Sequence, residues 1–303
     1  MAATDKRKGM YFTGVASAGR GRAIVTGHYW AHEETDERIT AARLVEGGKW
    51  TSLRGYTGIV HATRHDPGAK FEFLLMERAL TLYRVSAAAE FSYETISETR
   101  EGFLMDLRRI GTRWYAVGGQ HQAFRTEKKG WRTIDKGIFL PDEEDHSALL
   151  QSIHGLDESD VYAVGTSGIV LHFDGDEWEE IESPTDFDLE RVLCVSRDEV
   201  YLCGCGGMLF RGSKDSWLAL TEPDEKVTFW DMALLAGRVF VCSDDRLFVL
   251  DGNTLEEVPI PVRGPVQFYR MDAGDGELWT VGGECVLHFD GKSWTQHVCP
   301  ENE

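Results

Sequence analysis

Positive charge is scarce in this chain of 303 residues: 32 lysines and arginines stand against 51 aspartates and glutamates, a formal net charge of −19. A surface of that sign repels nucleic-acid phosphates and anionic lipid headgroups, which excludes both as partners and favours a cationic one. Long apolar runs are missing too. None approaches the roughly 18 residues of a helix that crosses a bilayer. The N-terminal stretch MAATDKRKGMYF carries charges with no apolar segment behind them, so no export signal is expected. A cytoplasmic protein, monomeric on its own, is the expectation. Proline is rare, at 8 residues, while 42% of the chain is hydrophobic. That is the composition of a chain that buries a large core.

The motifs of familiar chemistry are equally absent. No G-x-S-x-G, P-loop or dinucleotide fingerprint occurs. The glycine-rich GVASAGRGR at 14–22 joins two extended segments and opens no helix, so it offers no phosphate cradle. The six cysteines lie in apolar segments, and Cys203 and Cys242 fill the repeat position that holds Val117, Val164 and Val281 elsewhere. They read as small buried hydrophobes. Cys203 and Cys205 make one C-x-C pair with no second pair at zinc-finger spacing. His28 and His32, like His61 and His65, have H-x-x-x-H spacing. On a strand, however, residues four apart are roughly 13 Å apart and cannot share an ion. Neither a metal nor a cofactor is expected.

What the chain has is repetition. The segments DVYAVG at 160, EVYLCG at 199, RVFVCS at 238 and ELWTVG at 277 start 39 residues apart. RWYAVG at 113 precedes them by 47, FEFLLM at 71 by a further 42, and RAIVTG at 22 by a further 49. Each copy follows a short apolar strand and precedes a third strand, a turn and a fourth strand. Large side chains recur at three fixed positions. One reads Ile24, Phe73, Tyr115, Tyr162, Tyr201, Phe240 and Trp279; the next Leu44, Tyr83, Phe124, Phe173, Phe210, Leu250 and Phe289; the last Trp50, Phe91, Trp131, Trp178, Trp217, Leu255 and Trp294. A four-stranded sheet cannot bury both faces alone, and stacking on its neighbours buries both, so every unit must present bulk at the same heights. The D-G pairs at 174–175, 251–252 and 290–291 supply positive φ for tight hairpins between strands three and four.

Seven such units predict an all-β fold, a seven-bladed β-propeller of four-stranded antiparallel blades, with six or eight blades fitting less well. The chain then forms one domain, 1–303, with blades near 8–54, 55–96, 97–135, 146–183, 187–221, 226–261 and 264–299. The segments DVYAVG–LHFDG–EW over 160–178 and ELWTVG–LHFDG–SW over 277–294 resemble bacterial propellers whose units read DVWAVG followed by HYDG and tryptophan. Asp-box and photosystem-assembly-factor-like propellers are similar at greater distance. The resemblance covers 113–298, implies the fold, and leaves the activity open because such repeats serve many roles. The first unit starts with an inner strand and the last ends with an outer one. No sheet shared by the two termini is visible, so either closure relies on packing of blade one on blade seven or the strand boundaries lie one strand away from these.

In an up-and-down blade the connection between strands two and three shares a face with the links between blades, and the hairpins lie opposite. Here the long, acidic connections belong to the first face. The segment 27–40 carries Tyr29, Trp30, Glu33, Glu34, Asp36 and Glu37. The inter-blade links carry Asp142, Glu143, Glu144 and Asp145, then Asp186 and Asp188, then Glu222, Asp224 and Glu225. Irregular loops on one rim of a rigid scaffold are where recognition usually resides. This rim is expected to dock a basic protein, with aromatic anchors among the acids. Arg64, Asp106, Asp231 and Arg270 fall at one distance before their repeat anchors and are candidates to line the central channel. Such charges form either a mutual ion-pair network or a substrate site.

The leading functional expectation is a non-catalytic, protein-binding propeller, sharpened to a bacterial immunity or inhibitor protein that neutralises a basic toxin domain. Two alternatives remain: a hydrolase or lyase acting on a glycan or small molecule at the channel, and an assembly factor or scaffold in a larger complex.

Overall fold

A computed structural model describes residues 9–29, 39–97, 102–141, 147–214 and 216–302, with the side chains of residues 39 and 54–57 outside that description. The chain forms seven four-stranded antiparallel sheets, each from four consecutive strands. The blades span 10–57, 60–95, 104–133, 150–180, 189–219, 231–257 and 270–296. Single turns of 3-10 helix at Thr166–Gly168 and Pro300–Asn302 are the helical pieces among the described residues. No helix there is long and apolar enough to cross a membrane.

The core is seven apolar layers, one between each pair of neighbouring blades. Tyr162, Val164, Val192 and Leu202 pack between blades four and five, and Phe240, Cys242, Met271 and Leu278 between blades six and seven. The repeat position that begins with Ile24 is buried in every blade, because one side chain per second strand must fill the wedge towards the next blade. Blade two departs from the expected register. Phe73 faces back towards blade one, in the layer of Ile24 and Val60, while Leu74 faces blade three with Leu104 and Leu107. Leu74 therefore holds the position that Tyr115 and Tyr162 hold elsewhere, a one-residue slip that turns each side chain to the other face. The outer position is half-buried in six blades, but Phe91 is 40% exposed.

The ring closes without a shared sheet, by packing of blade one on blade seven. Met10, Phe12 and Val25 pack against Trp279, Val281 and Val286 in a common layer. The Phe12 amide donates to the Gly283 carbonyl at 2.7 Å, and the Ser17 amide to Asp272 Oδ2 at 2.8 Å. The side chain of Asn302 bonds the Met10 backbone. All six cysteines are free thiols, and Cys203 and Cys242 are fully buried in inter-blade layers.

Candidate functional site

Two regions carry the candidate chemistry: the loop face and the central channel. On the loop face, the link between blades four and five brings Asp186, Phe187 and Asp188 against the turn Gly206–Gly207 of blade five. A Cβ on Gly206 (φ +70°) would meet the Phe187 ring at 3.3 Å, so only glycine lets that ring lie against the turn. The link between blades five and six grips the same turn from its other side. The Asp224 amide donates to the Gly206 carbonyl at 2.8 Å, and the Gly207 amide to the Val227 carbonyl at 2.7 Å. Two acidic segments 36 residues apart in sequence are thus assembled around one bare turn.

The acids of this patch divide by role. Asp188 accepts the Ser167 amide at 2.7 Å and Asp224 the Lys226 amide at 3.1 Å, each fixing its loop. Asp186, Glu222 and Glu225 are exposed and make no ion pair among the described residues. Phe187 remains 38% exposed between Asp186 and Asp188. Just inside the rim, burial pushes the Glu190 carboxyl pKa up, and nearby Arg270 opposes that.

On the hairpin face some acids pair with neighbours, while Asp176, Asp198, Asp275 and Asp290 are exposed and make no ion pair among the described residues. Glu72 pairs with Arg22 at 2.7 Å, Asp66 with Arg109 at 2.6 Å, Glu90 with Lys70 at 3.1 Å, and Asp157 with Arg197 at 2.6 Å. Arg113 lies between Glu127 and Glu158. Unpaired acids therefore stand on both faces, and those of the loop-face patch are set apart by the exposed Phe187 among them.

The other residues expected on the loop face fall differently. Trp30, Glu33, Glu34, Asp36 and Glu37 lie outside the described residues, as do Asp142, Glu143, Glu144 and Asp145. Tyr29 is half-buried against the seam of blades one and seven. Its hydroxyl accepts from Arg43, whose guanidinium lies 5.9 Å from the ring centroid and pairs with Glu301 at 2.7 Å. Phe187 was not singled out in the sequence, where a lone aromatic between two aspartates looks like any loop residue.

In the channel, Asp106 and Asp231 hold equivalent positions opposite Val117 and Cys242, and Arg191 joins them opposite Cys203. Each aspartate joins two blades. Asp106 accepts the amides of Leu107 at 2.8 Å and of Ile153 in the next blade at 3.1 Å. Asp231 accepts those of Met232 and Met271, both at 2.9 Å. Arg64 and Arg191 flank Asp106, and Arg191 Nε reaches Asp231 Oδ1 at 3.0 Å. Burial alone would raise the Asp106 pKa, but Arg64, Arg191, Arg108 and the Ile153 amide together hold it well below the usual carboxylate range. Arg270 bonds the carbonyls of Trp230 and Tyr269 at 3.1 Å each. Arg64 lies one layer away from the other three candidates, opposite Leu74. A bulge hid Arg191 from the count of residues before the anchor. The cavity of about 360 Å³ at the hairpin end of the channel is lined by Arg64 but not by Asp106, Asp231 or Arg270.

No family model matches the chain. Among curated proteins, the immune protein Tsi7 of Pseudomonas aeruginosa is 32% identical over 183 residues. The alignment covers 60% of this chain, and the chain spans 60% of the length of that relative. Among solved structures, the WD40 β-propeller domain of Doa1 superposes with a TM-score of 0.70 at 10% identity, covering 92% of each chain. YCF48 from Cyanidioschyzon merolae superposes with 0.67 at 13% identity, over 99% of this chain and 98% of that one. YCF48 bound to D1 peptide gives 0.67 at 12%, over 96% and 92%. At such identities the structural likenesses speak for the propeller fold alone.

Proposed function

We propose that this propeller binds a basic protein through its loop face and that the partner is a toxin domain which it neutralises, as an immunity protein does. The reading is carried by the patch around Gly206–Gly207, where Asp186, Glu222 and Glu225 are exposed without ion pairs among the described residues and Phe187 faces solvent. An exposed aromatic on a rim that carries unpaired acids has the make-up of an interface anchor with a steering field. The similarity to the immune protein Tsi7 supports the choice of partner class. The acidic residues of 33–37 and 142–145 extend the same charge in sequence and are part of the proposal.

The test is capture from the native cells with tagged wild type and with the triple variant Asp186→Lys, Glu222→Lys, Glu225→Lys, at about 0.1 M and about 0.5 M salt, which straddle strong screening of surface charge. A basic protein with toxic activity should be held by the wild type at low salt and lost by the variant. Equal retention by both proteins would remove the loop-face assignment, and a partner without toxicity would remove the immunity role.

A further inference from the structure

Strand pairing sets one residue from each inner strand at each height of the channel. Opposite Leu74, Tyr115, Tyr162 and Trp279 stand Arg64, Arg108, His154 and Asp272, from blades two, three, four and seven. Blade one contributes Ala16 at this height, and blades five and six Leu193 and Ala233. The polar side chains therefore lie along one arc, interrupted only by the methyl group of Ala16. All four line the cavity of about 360 Å³ at the hairpin end, away from the loop face.

Their hydrogen-bonding capacity is unevenly used. Arg64 is committed to Asp106 and to the Leu107 and Thr63 carbonyls. Arg108 makes no hydrogen bond or ion pair among the described residues, and its Nε is buried without an acceptor. His154 Nδ1 accepts the Cys194 amide at 3.2 Å, which places the ring proton on Nε2, a donor with no acceptor among the described residues. Burial, with nearby Arg108, lowers the His154 pKa to about 3, so the ring is neutral at physiological pH. Asp272 spends Oδ2 on the Ser17 amide at 2.8 Å and forms no ion pair among the described residues. Burial pushes its carboxyl pKa up, opposed by Arg108 and Arg64.

Arg108 is half-buried with its Nε shut away from solvent and from any acceptor among the described residues, which is costly. Two donors facing a carboxylate across one cavity call for a ligand that both accepts and donates. We propose that the hairpin end of the channel binds a small oxyanion carrying its own proton, hydrogen phosphate or the singly protonated form of a phosphate monoester, which persists up to about pH 6. Arg108 and His154 Nε2 donate to its oxygens, and its remaining hydroxyl donates to Asp272. The cavity volume is at the lower end for ligand pockets, which suits phosphate with a small substituent. Sulfate has the same shape but carries no proton at neutral pH, so it satisfies the donors and leaves Asp272 opposed to a bare anion.

Calorimetric titration at about pH 6, where inorganic phosphate and a large share of glycerol 3-phosphate carry a proton and sulfate carries none, tests this with those three probes. Wild type should bind phosphate saturably and sulfate at least about tenfold more weakly. Arg108→Gln should weaken phosphate at least about tenfold with an unchanged circular dichroism spectrum, since Arg108 makes no hydrogen bond or ion pair among the described residues. Asp272→Asn should narrow the gap between phosphate and sulfate, and it carries the test if Arg108→Gln fails to fold. Tighter binding of glycerol 3-phosphate than of phosphate assigns the site to monoesters, and the reverse assigns it to the free ion. Absence of saturable phosphate binding, equal affinity for sulfate, or indifference to Arg108→Gln would overturn the proposal.

Discussion

Asn302 holds Met10 from both sides: its Nδ2 donates to the Met10 carbonyl at 3.0 Å, and its Oδ1 accepts the Met10 amide at 2.6 Å. One side-chain amide thus does for the two termini what a pair of strand hydrogen bonds does inside a sheet. Every blade draws its four strands from one continuous segment, so this contact, the Phe12–Gly283 and Ser17–Asp272 hydrogen bonds and the layer of Phe12 and Trp279 carry the closure. Asn302→Ala should therefore lower stability by about 1–3 kcal/mol, read as a shift in the urea midpoint with the m-value unchanged. No shift would mean that the remaining contacts of the seam close the ring without it.

Asp106 should behave as an inter-blade tie. It is fully buried and accepts the amides of two blades. Removing the charge leaves Arg64 and Arg191 without their shared partner, so Asp106→Ala is expected to cost about 3–5 kcal/mol. Its folded pKa lies below the unfolded value, so its contribution is complete above about pH 4 and is lost as the pH falls further. Acid titration of stability in wild type and Asp106→Asn checks this: the variant should be less stable at pH 7 and show a shallower decline below about pH 4.

Histidines set the decline at milder pH. Burial lowers the His61 pKa to about 4, helped by Arg78 and Arg270; the His297 pKa falls to about 4 by burial and nearby His288. With His154, these rings are neutral in the folded chain and gain a proton on unfolding once the pH drops below their unfolded value of about 6.5. Stability should be level above neutrality and fall between about pH 6.5 and pH 4. His297→Gln should flatten that slope, measured by urea melts at stepped pH; an unchanged slope would show that His297 titrates alike in both states.

Much of this was legible in the sequence because the repeat obeys packing geometry. A second-strand side chain must fill each wedge between blades, so Tyr115, Tyr162 and Trp279 announced the blade count. Phe73 misled for a physical reason: blade two has apolar residues on both faces of its second strand, so hydrophobicity alone does not fix which faces forward. Arg191 was hidden by a bulge that moves it one residue from the place its neighbours predict. Phe187 could have been found only by asking which aromatic residue stands next to a link and opposite the glycine pair 206–207, a contact that forms in three dimensions.

Gly206 links the fold to the proposed interface. Its φ of +70° disfavours any side chain, and an added methyl group would press on the Phe187 ring. Gly206→Ala should cost about 1 kcal/mol or more of stability and displace Phe187, so partner affinity should fall by more than the stability loss accounts for. Phe187→Ala should weaken binding by about 1–3 kcal/mol with little effect on folding, as loss of an interface aromatic does.

The most direct test of the docking face is the association rate of the captured basic partner with wild type and with the Asp186→Lys, Glu222→Lys, Glu225→Lys variant, measured across salt concentration. The account predicts that the wild-type rate falls steeply from about 0.05 M to about 0.5 M salt, and that the variant starts at least about tenfold slower with a flattened salt dependence. Superimposable salt profiles for the two proteins would contradict it and place the interface elsewhere on the propeller.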